Sequence, residues 1–254
     1  MLIFYRFIPF LAGLLCAAAL GLAIVAPDWF LPAMGALLLA LAFLYARLIG
    51  LPKHDFGFWN FLLTPLLFTL SAGFFFVFLE DASSMFILLG VLAALHLIYA
   101  EHLFYYFHRP SEYRVYTIER VSLVLSIATM FLLSSSLFGL MIFVQVPLWA
   151  LAPIFFLTAV FTVYAVLWVS KMDPNRGSLY AIVLGLLLTE LFLALSFLPV
   201  GHTTNAVLMA SFLYFFLGVS RADFMGRLTR RVFLRYLFFT IVMVATVLST
   251  TTWV

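Results

Sequence analysis

The chain has 254 residues, 13 of them Lys or Arg and 10 Asp or Glu, so charged side chains make up only 9%. A soluble domain averages about 25% charged and about 45–50% apolar residues; here the apolar share is 67% and mean hydropathy is +1.22. These figures exclude a soluble globular domain, a disordered tail and a nucleic-acid binder with a basic face. What they leave is an integral membrane protein.

The cations divide the chain. Arg6 is followed by 40 residues without Lys or Arg, Lys53 by 55, Arg120 by 50 and Arg176 by 44; 19 residues follow Arg235. A spanning helix needs about 20 apolar residues, because a hydrocarbon core of about 30 Å is crossed at about 1.5 Å per residue. Each long gap therefore holds two crossings and a turn, and the last tract holds one. Short basic loops resist translocation. Cations that all stay in the cytoplasm require an even number of crossings per gap, in agreement with the lengths.

Turn signals near the gap middles are independent of charge. They are Pro27-Asp28-Trp29, Glu80-Asp81-Ala82-Ser83-Ser84, the weaker Gln145-Val146-Pro147, and Pro199-Val200-Gly201-His202. The predicted architecture is an all-α polytopic transmembrane bundle in a single membrane domain. Its nine spans lie near 7–26, 30–49, 58–79, 84–106, 121–143, 148–169, 179–199, 205–222 and 232–252. The N-terminus is expected in the cytoplasm and the C-terminus outside. Trp29, Trp59, Trp149, Trp168 and Trp253 all fall at or just beyond a span end, where amphipathic rings prefer to sit. The ninth span is the shortest of cation-free stretches and needs Arg235 to snorkel back to the surface.

In the first span, the apolar run after Arg6 continues to Ala26, longer than the core of a signal peptide, so the segment is expected to be retained. Cys16 is the only cysteine, which excludes an internal disulfide and a multi-cysteine metal site. Gly13, Ala17 and Gly21 place small residues every fourth position, so another helix can approach closely. Pro65 falls mid-way along the third span, where it removes a backbone donor and is expected to kink the helix.

Ionisable residues within spans are the functional candidates, since the bilayer makes them costly. The fourth span carries His96, Glu101 and His102, with His108 just past its end. At about 100° per residue, Glu101 and His108 share a face while His96 and His102 point elsewhere. These histidines cannot ligate one metal or haem from this helix alone, and no metal or cofactor is expected. The end of the span is nonetheless dense in polar groups: Glu101, His102, Tyr105, Tyr106 and His108, then Arg109, Glu112, Tyr113, Arg114, Tyr116, Glu119 and Arg120. Carboxylate and imidazole can move protons near neutral pH and arginines can hold phosphate, so Glu101, His102 and His108 are the catalytic candidates. The plainer alternative is an interfacial aromatic belt with local ion pairs.

Glu190 stands mid-way along the span 179–199, where its short side chain is expected to be buried and either protonated or paired with another helix. With His96 it is the candidate intramembrane proton or ligand site. Arg221, Arg227, Arg230, Arg231 and Arg235 form a juxtamembrane basic cluster suited to anionic lipid headgroups, or to anchoring topology alone. If the last helix extends back into its loop, Arg227, Arg231 and Arg235 form one stripe. Ser134-Ser135-Ser136 lies mid-span; such serines commonly bond their own helix backbone.

Two functions are compatible with these features. The favoured one is a non-enzymatic protein, transporter-like or a subunit of a membrane assembly. The other is a membrane enzyme acting on a lipid or lipid-linked phosphate at the cytoplasmic leaflet. Expected partners are membrane lipids with anionic headgroups, and a membrane protein or second copy; nucleic acid is not expected. With no organelle address in the sequence, the plasma (inner) membrane is the expected location.

Overall fold

The computed structural model describes residues 2–251, with side chains from Tyr5 onward. Among the described residues nine helices are long and apolar enough to cross a membrane, and there is no strand. They are α1 (Leu2–Val25), α2 (Phe30–Leu48), α3 (Phe56–Phe76), α4 (Ala82–His108), α5 (Thr117–Phe143), α6 (Leu148–Val169), α7 (Pro174–Leu195), α8 (His202–Phe224) and α9 (Arg230–Thr250), with a single 3-10 turn at Pro27–Trp29. The protein is all-α and polytopic. Each Lys and Arg lies at the start of an odd-numbered helix, at the end of an even-numbered one, or in a loop from even to odd.

Helix limits differ from the sequence expectation by up to five residues, and for α7 and the α8–α9 junction the local reasons are clear. α7 runs 174–195 rather than 179–199. Asp173 accepts from the Arg176 amide and Pro174 occupies the first turn, so the helix starts early. Pro199 disfavours helical backbone in the residue before it, and the chain has already turned at Ser196. Secondly, α8 closes at Gly226, whose φ of +62° allows the Arg227 amide to reach the Ala222 carbonyl at 2.9 Å. Thr229 then caps α9, accepting from the Val232 amide. Arg227 is therefore in the loop. The expected three-arginine stripe reduces to Arg231 and Arg235, because the cap fixes where the helix begins.

Four of the five tryptophans lie at helix ends. Trp29, Trp59 and Trp149 are exposed, Trp59 donates to the Lys53 carbonyl at 2.9 Å, and Trp168 is in the last turn of α6. Trp253 lies outside the described residues.

The chain divides into two units, Met1–Leu125 and Ser126–Val254, the division falling within α5. In the first unit α1 packs mainly on α4 and also on α2, and α3 packs on α2 and α4. The small-residue face of α1 allows the close α1–α4 approach: a Cβ at Gly13 would stand 3.1 Å from the Ala93 carbonyl oxygen. Cys16, Leu20, Leu41, Tyr45, Phe68, Tyr99 and Phe104 fill the interior.

A continuous polar tie runs through this core. Pro65 cannot donate to the Phe61 carbonyl four residues back; the Tyr99 hydroxyl of α4 donates to it instead, at 3.2 Å. Thr69 donates to the Pro65 carbonyl at 2.9 Å. Its single proton being so used, its oxygen accepts from His96 Nε2 at 2.8 Å. His96 Nδ1 then accepts from the Tyr45 hydroxyl, also at 2.8 Å. Three helices are joined through one neutral imidazole with both ring nitrogens occupied.

In the second unit α6 packs on α7 and α8, and α8 on α7 and α9. A Cβ at Gly185 would fall on the Val160 side chain, so only glycine permits this α6–α7 contact. Phe192 stacks on Phe155 and meets Phe138, both with ring centroids at 4.6 Å. Ser136 bonds its own helix at the Leu132 carbonyl, as such serines commonly do, while Ser134 and Ser135 are buried with no partner among the described residues. α9 buries only Thr240.

Candidate functional site

The most polar cavity described lies in the first unit, at the end of α4 and the start of α5. Both helices have 27 residues, about 40 Å at 1.5 Å per residue. They are longer than a hydrocarbon core of about 30 Å, so their joined ends are long enough to extend to headgroup depth. The connecting loop is built from successive turns, with the Glu112 amide on the Arg109 carbonyl and the Tyr113 amide on the Pro110 carbonyl. Tyr116 adopts a left-handed φ of +66° to enter α5.

Tyr113 ties this loop to α5. Its hydroxyl accepts from the Ile118 amide at 3.1 Å and donates to Glu119 at 3.4 Å. Burial pushes the Tyr113 hydroxyl above the ordinary tyrosine range, the Ile118 amide opposes this, and the Glu119 carboxylate adds to it. Glu119 also lies in the first turn of α5, where the helix dipole favours a negative charge. Arg109 and Glu112 form an ion pair at 2.6 Å. On α4, Tyr105 accepts from Arg6 of α1 at 2.8 Å, and the guanidinium also lies over the Phe104 and Tyr105 rings.

The resulting cavity has a volume of about 330 Å³ and is lined by His102, Tyr105, Glu112, Tyr113, Arg114 and Thr117. This is the small end of the range for ligand sites, about 300–1,000 Å³: room for a headgroup rather than a whole lipid. Thr117 donates to the Arg114 carbonyl, which fixes the arginine backbone. The Arg114 guanidinium itself is exposed and has no hydrogen bond or ion pair to any described residue. An unpaired guanidinium beside an imidazole and hydroxyls is a phosphate-binding chemistry, and Glu112 is held off by Arg109.

Of the three catalytic candidates, only His102 lines this cavity. Glu101 is half-buried on another face of α4. His108 packs between rings, 4.3 Å from Tyr5 and 5.6 Å from Phe104. The acid–base set suggested by proximity in sequence is thus split around the helix. His96 is fully buried and committed to Tyr45 and Thr69. Among the described residues no group of three His, Cys, Asp or Glu is arranged to hold a metal ion.

Glu190 is a correction: it is exposed rather than buried, and its helix ends five residues later at Leu195. The interior of this unit takes the neighbouring Leu188 and Phe192 instead. Neither described cavity is lined by Glu190.

The basic residues Arg227, Arg230, Arg231 and Arg235 are exposed, and Arg221 ends α8 half-buried with its Nε unpartnered among the described residues. Near them is a second cavity, of about 410 Å³, between α8 and α9. Phe212, Phe215, Phe216, Leu237 and Ile241 make its wall almost wholly apolar.

The sequence missed Thr117 as a lining residue, and missed the Arg6–Tyr105 bond, whose partners lie 99 residues apart. No family model, curated protein or solved structure matches this chain. The functional reading therefore rests on the geometry.

Proposed function

We propose that this polytopic membrane protein is non-enzymatic and holds the phosphorylated headgroup of a membrane lipid in the cavity between the end of α4 and the start of α5. The observation that carries this reading is the unpaired Arg114 guanidinium on a small polar cavity at headgroup depth. Arg114 takes the phosphate, with His102 and Tyr105 available as further donors. The Glu112–Arg109 pair and Tyr113 form the rim. The α4–α5 loop joins an even to an odd helix, like every other loop that carries cations, and this supports a cytoplasmic position under the positive-inside rule. The exposed arginines at the start of α9 act as a second, less specific attraction for anionic headgroups. The plasma membrane is the proposed setting.

The test is a titration of the full-length protein in detergent with short-chain phosphatidylglycerol, read by tryptophan fluorescence and by the shift in thermal unfolding. Arg114→Ala is expected to weaken binding roughly tenfold, the equivalent of about 1.4 kcal/mol. Arg120→Ala, on an exposed cation that does not line the cavity, is expected to leave binding unchanged. Equal affinity in Arg114→Ala and the parent overturns the reading. An enzyme acting on a lipid phosphate is the second reading, favoured by the imidazole of His102 beside Arg114. Release of a lipid product by the parent protein, abolished in His102→Gln with binding retained, would select it.

A further inference from the structure

Two opposite charges line the headgroup cavity without pairing with each other. Arg114 and Glu112 are both on its wall. Glu112 instead forms an ion pair with Arg109, which does not line the cavity, and Arg114 has no hydrogen bond or ion pair to any described residue. Residues two apart have Cα atoms at most about 7 Å from each other, so chain length alone does not prevent these side chains from closing. The loop holds them apart. Arg109 takes Glu112 by its Oε1 at 2.6 Å, from the N-terminal side. Thr117 fixes the Arg114 backbone from the C-terminal side, donating to its carbonyl at 2.7 Å. Tyr113, between them, is fastened to Ile118 and Glu119 of α5.

The lining is therefore bipolar, with a guanidinium and a carboxylate open to one small volume. The Arg109 pair leaves the second carboxylate oxygen, Oε2, without a hydrogen bond from any described residue. That pair is about half exposed on both sides, and exposed pairs hold weakly. A ligand with a phosphate alone satisfies Arg114 but brings a second negative charge beside Glu112. A phosphate joined to an ammonium by a short link satisfies both. The form of the ammonium follows from the partner on offer. A primary ammonium has three N–H donors and makes a charge-assisted hydrogen bond to a carboxylate, whereas a trimethylated nitrogen has no donor and is held by aromatic faces. Here the Tyr105 ring already carries the Arg6 guanidinium, 5.4 Å from its centroid. Tyr113 meets Tyr106 in a T-shaped contact at 5.3 Å. The rings are engaged, and the carboxylate is what remains to receive a cation.

On the headgroup reading of this cavity, we propose that it selects a phosphoethanolamine headgroup, with Arg114 on the phosphate and Glu112 on the ammonium. Glu112 is then the residue that sets the selectivity.

The experiment compares short-chain phosphatidylethanolamine, phosphatidylglycerol and phosphatidylcholine in titrations of the full-length protein in detergent, read by tryptophan fluorescence and thermal shift. Phosphatidylethanolamine is expected to bind roughly fivefold more tightly than either of the others. Glu112→Gln keeps the size and removes the charge, and is expected to bring phosphatidylethanolamine level with phosphatidylglycerol; Glu112→Lys is expected to place phosphatidylglycerol first. Soluble O-phosphoethanolamine is expected to displace the lipid only in large excess, since it lacks acyl chains. Displacement at equal concentration upholds the same headgroup chemistry and moves its source to a soluble ligand. Phosphatidylglycerol binding as tightly as phosphatidylethanolamine, and still dependent on Arg114, overturns the selectivity and leaves the headgroup reading standing. So does phosphatidylcholine binding as tightly, or a preference for phosphatidylethanolamine that survives Glu112→Gln. Binding indifferent to Arg114→Ala overturns both.

Discussion

His96 and Glu190 are both ionisable side chains within membrane-spanning helices, and the two halves of the chain treat them in opposite ways. In the first unit His96 is fully buried, with one ring nitrogen accepting from Tyr45 and the other donating to Thr69. In the second unit Glu190 faces outward with no partner among the described residues. The difference follows from neighbouring residues. The first unit supplies hydroxyls on α2 and α3, Tyr45 and Thr69, that meet the two ring nitrogens. In the second unit α7 turns Leu188 and Phe192 inward, where Phe192 packs on Phe138 and Phe155, and leaves Glu190 on the outward side. A polar group in a membrane helix therefore stabilises the fold that already holds its complement, and is otherwise left available for a contact the single chain does not make.

This contrast can be broken from either side. The largest expected effect is that of His96→Ala, which opens a cavity and removes the imidazole that joins the Tyr45 and Thr69 hydroxyls. A loss of about 2–4 kcal/mol, read as reduced thermal stability in detergent, is expected. A variant as stable as the parent would show that the tie is incidental. Glu190→Leu, measured in detergent concentrated enough to keep the protein monomeric, is expected to leave the unfolding temperature within about 2 °C of the parent or to raise it. A drop comparable to that of His96→Ala would mean that Glu190 has an internal partner and would erase the distinction.

The smallest effect concerns Tyr113. Its hydroxyl is held above its ordinary value of about 10, so the neutral form is favoured in the folded protein. That contribution is complete below about pH 10 and is lost as pH rises through the folded value. Between pH 9 and 11 the parent is thus expected to lose slightly more stability than Tyr113→Phe; equal losses would show that the loop tie is not coupled to the hydroxyl proton.

Much of the fold was legible before any coordinates. Clustered cations and mid-gap turn residues mark nine crossings, and the helices agree with them within a few residues. The discrepancies have short-range causes. Asp173 and Pro174 start α7 early, and the Gly226 and Thr229 caps place Arg227 in a loop. The polar end of α4 was visible as a density of residues, but not as a site. Helical periodicity correctly separates His96 from Glu101, yet it says nothing of which face meets Arg114, because that depends on the turns at Arg109–Tyr113 and the left-handed Tyr116.

Glu190 shows the limit most clearly. One-dimensional reasoning gives a residue its depth along a helix but not its direction, and a uniformly apolar helix offers no amphipathic contrast to reveal which side is buried. Composition and charge spacing alone determined that this chain is a polytopic membrane protein, with its cations gathered at alternate helix ends. They do so because the hydrocarbon core sets helix length and rejects charge wherever the helices happen to face. Only the tertiary structure decided which polar side chains meet. His96 finds Tyr45 and Thr69 because three helices converge on it, while Arg114 and Glu190 have no hydrogen bond or ion pair to any described residue.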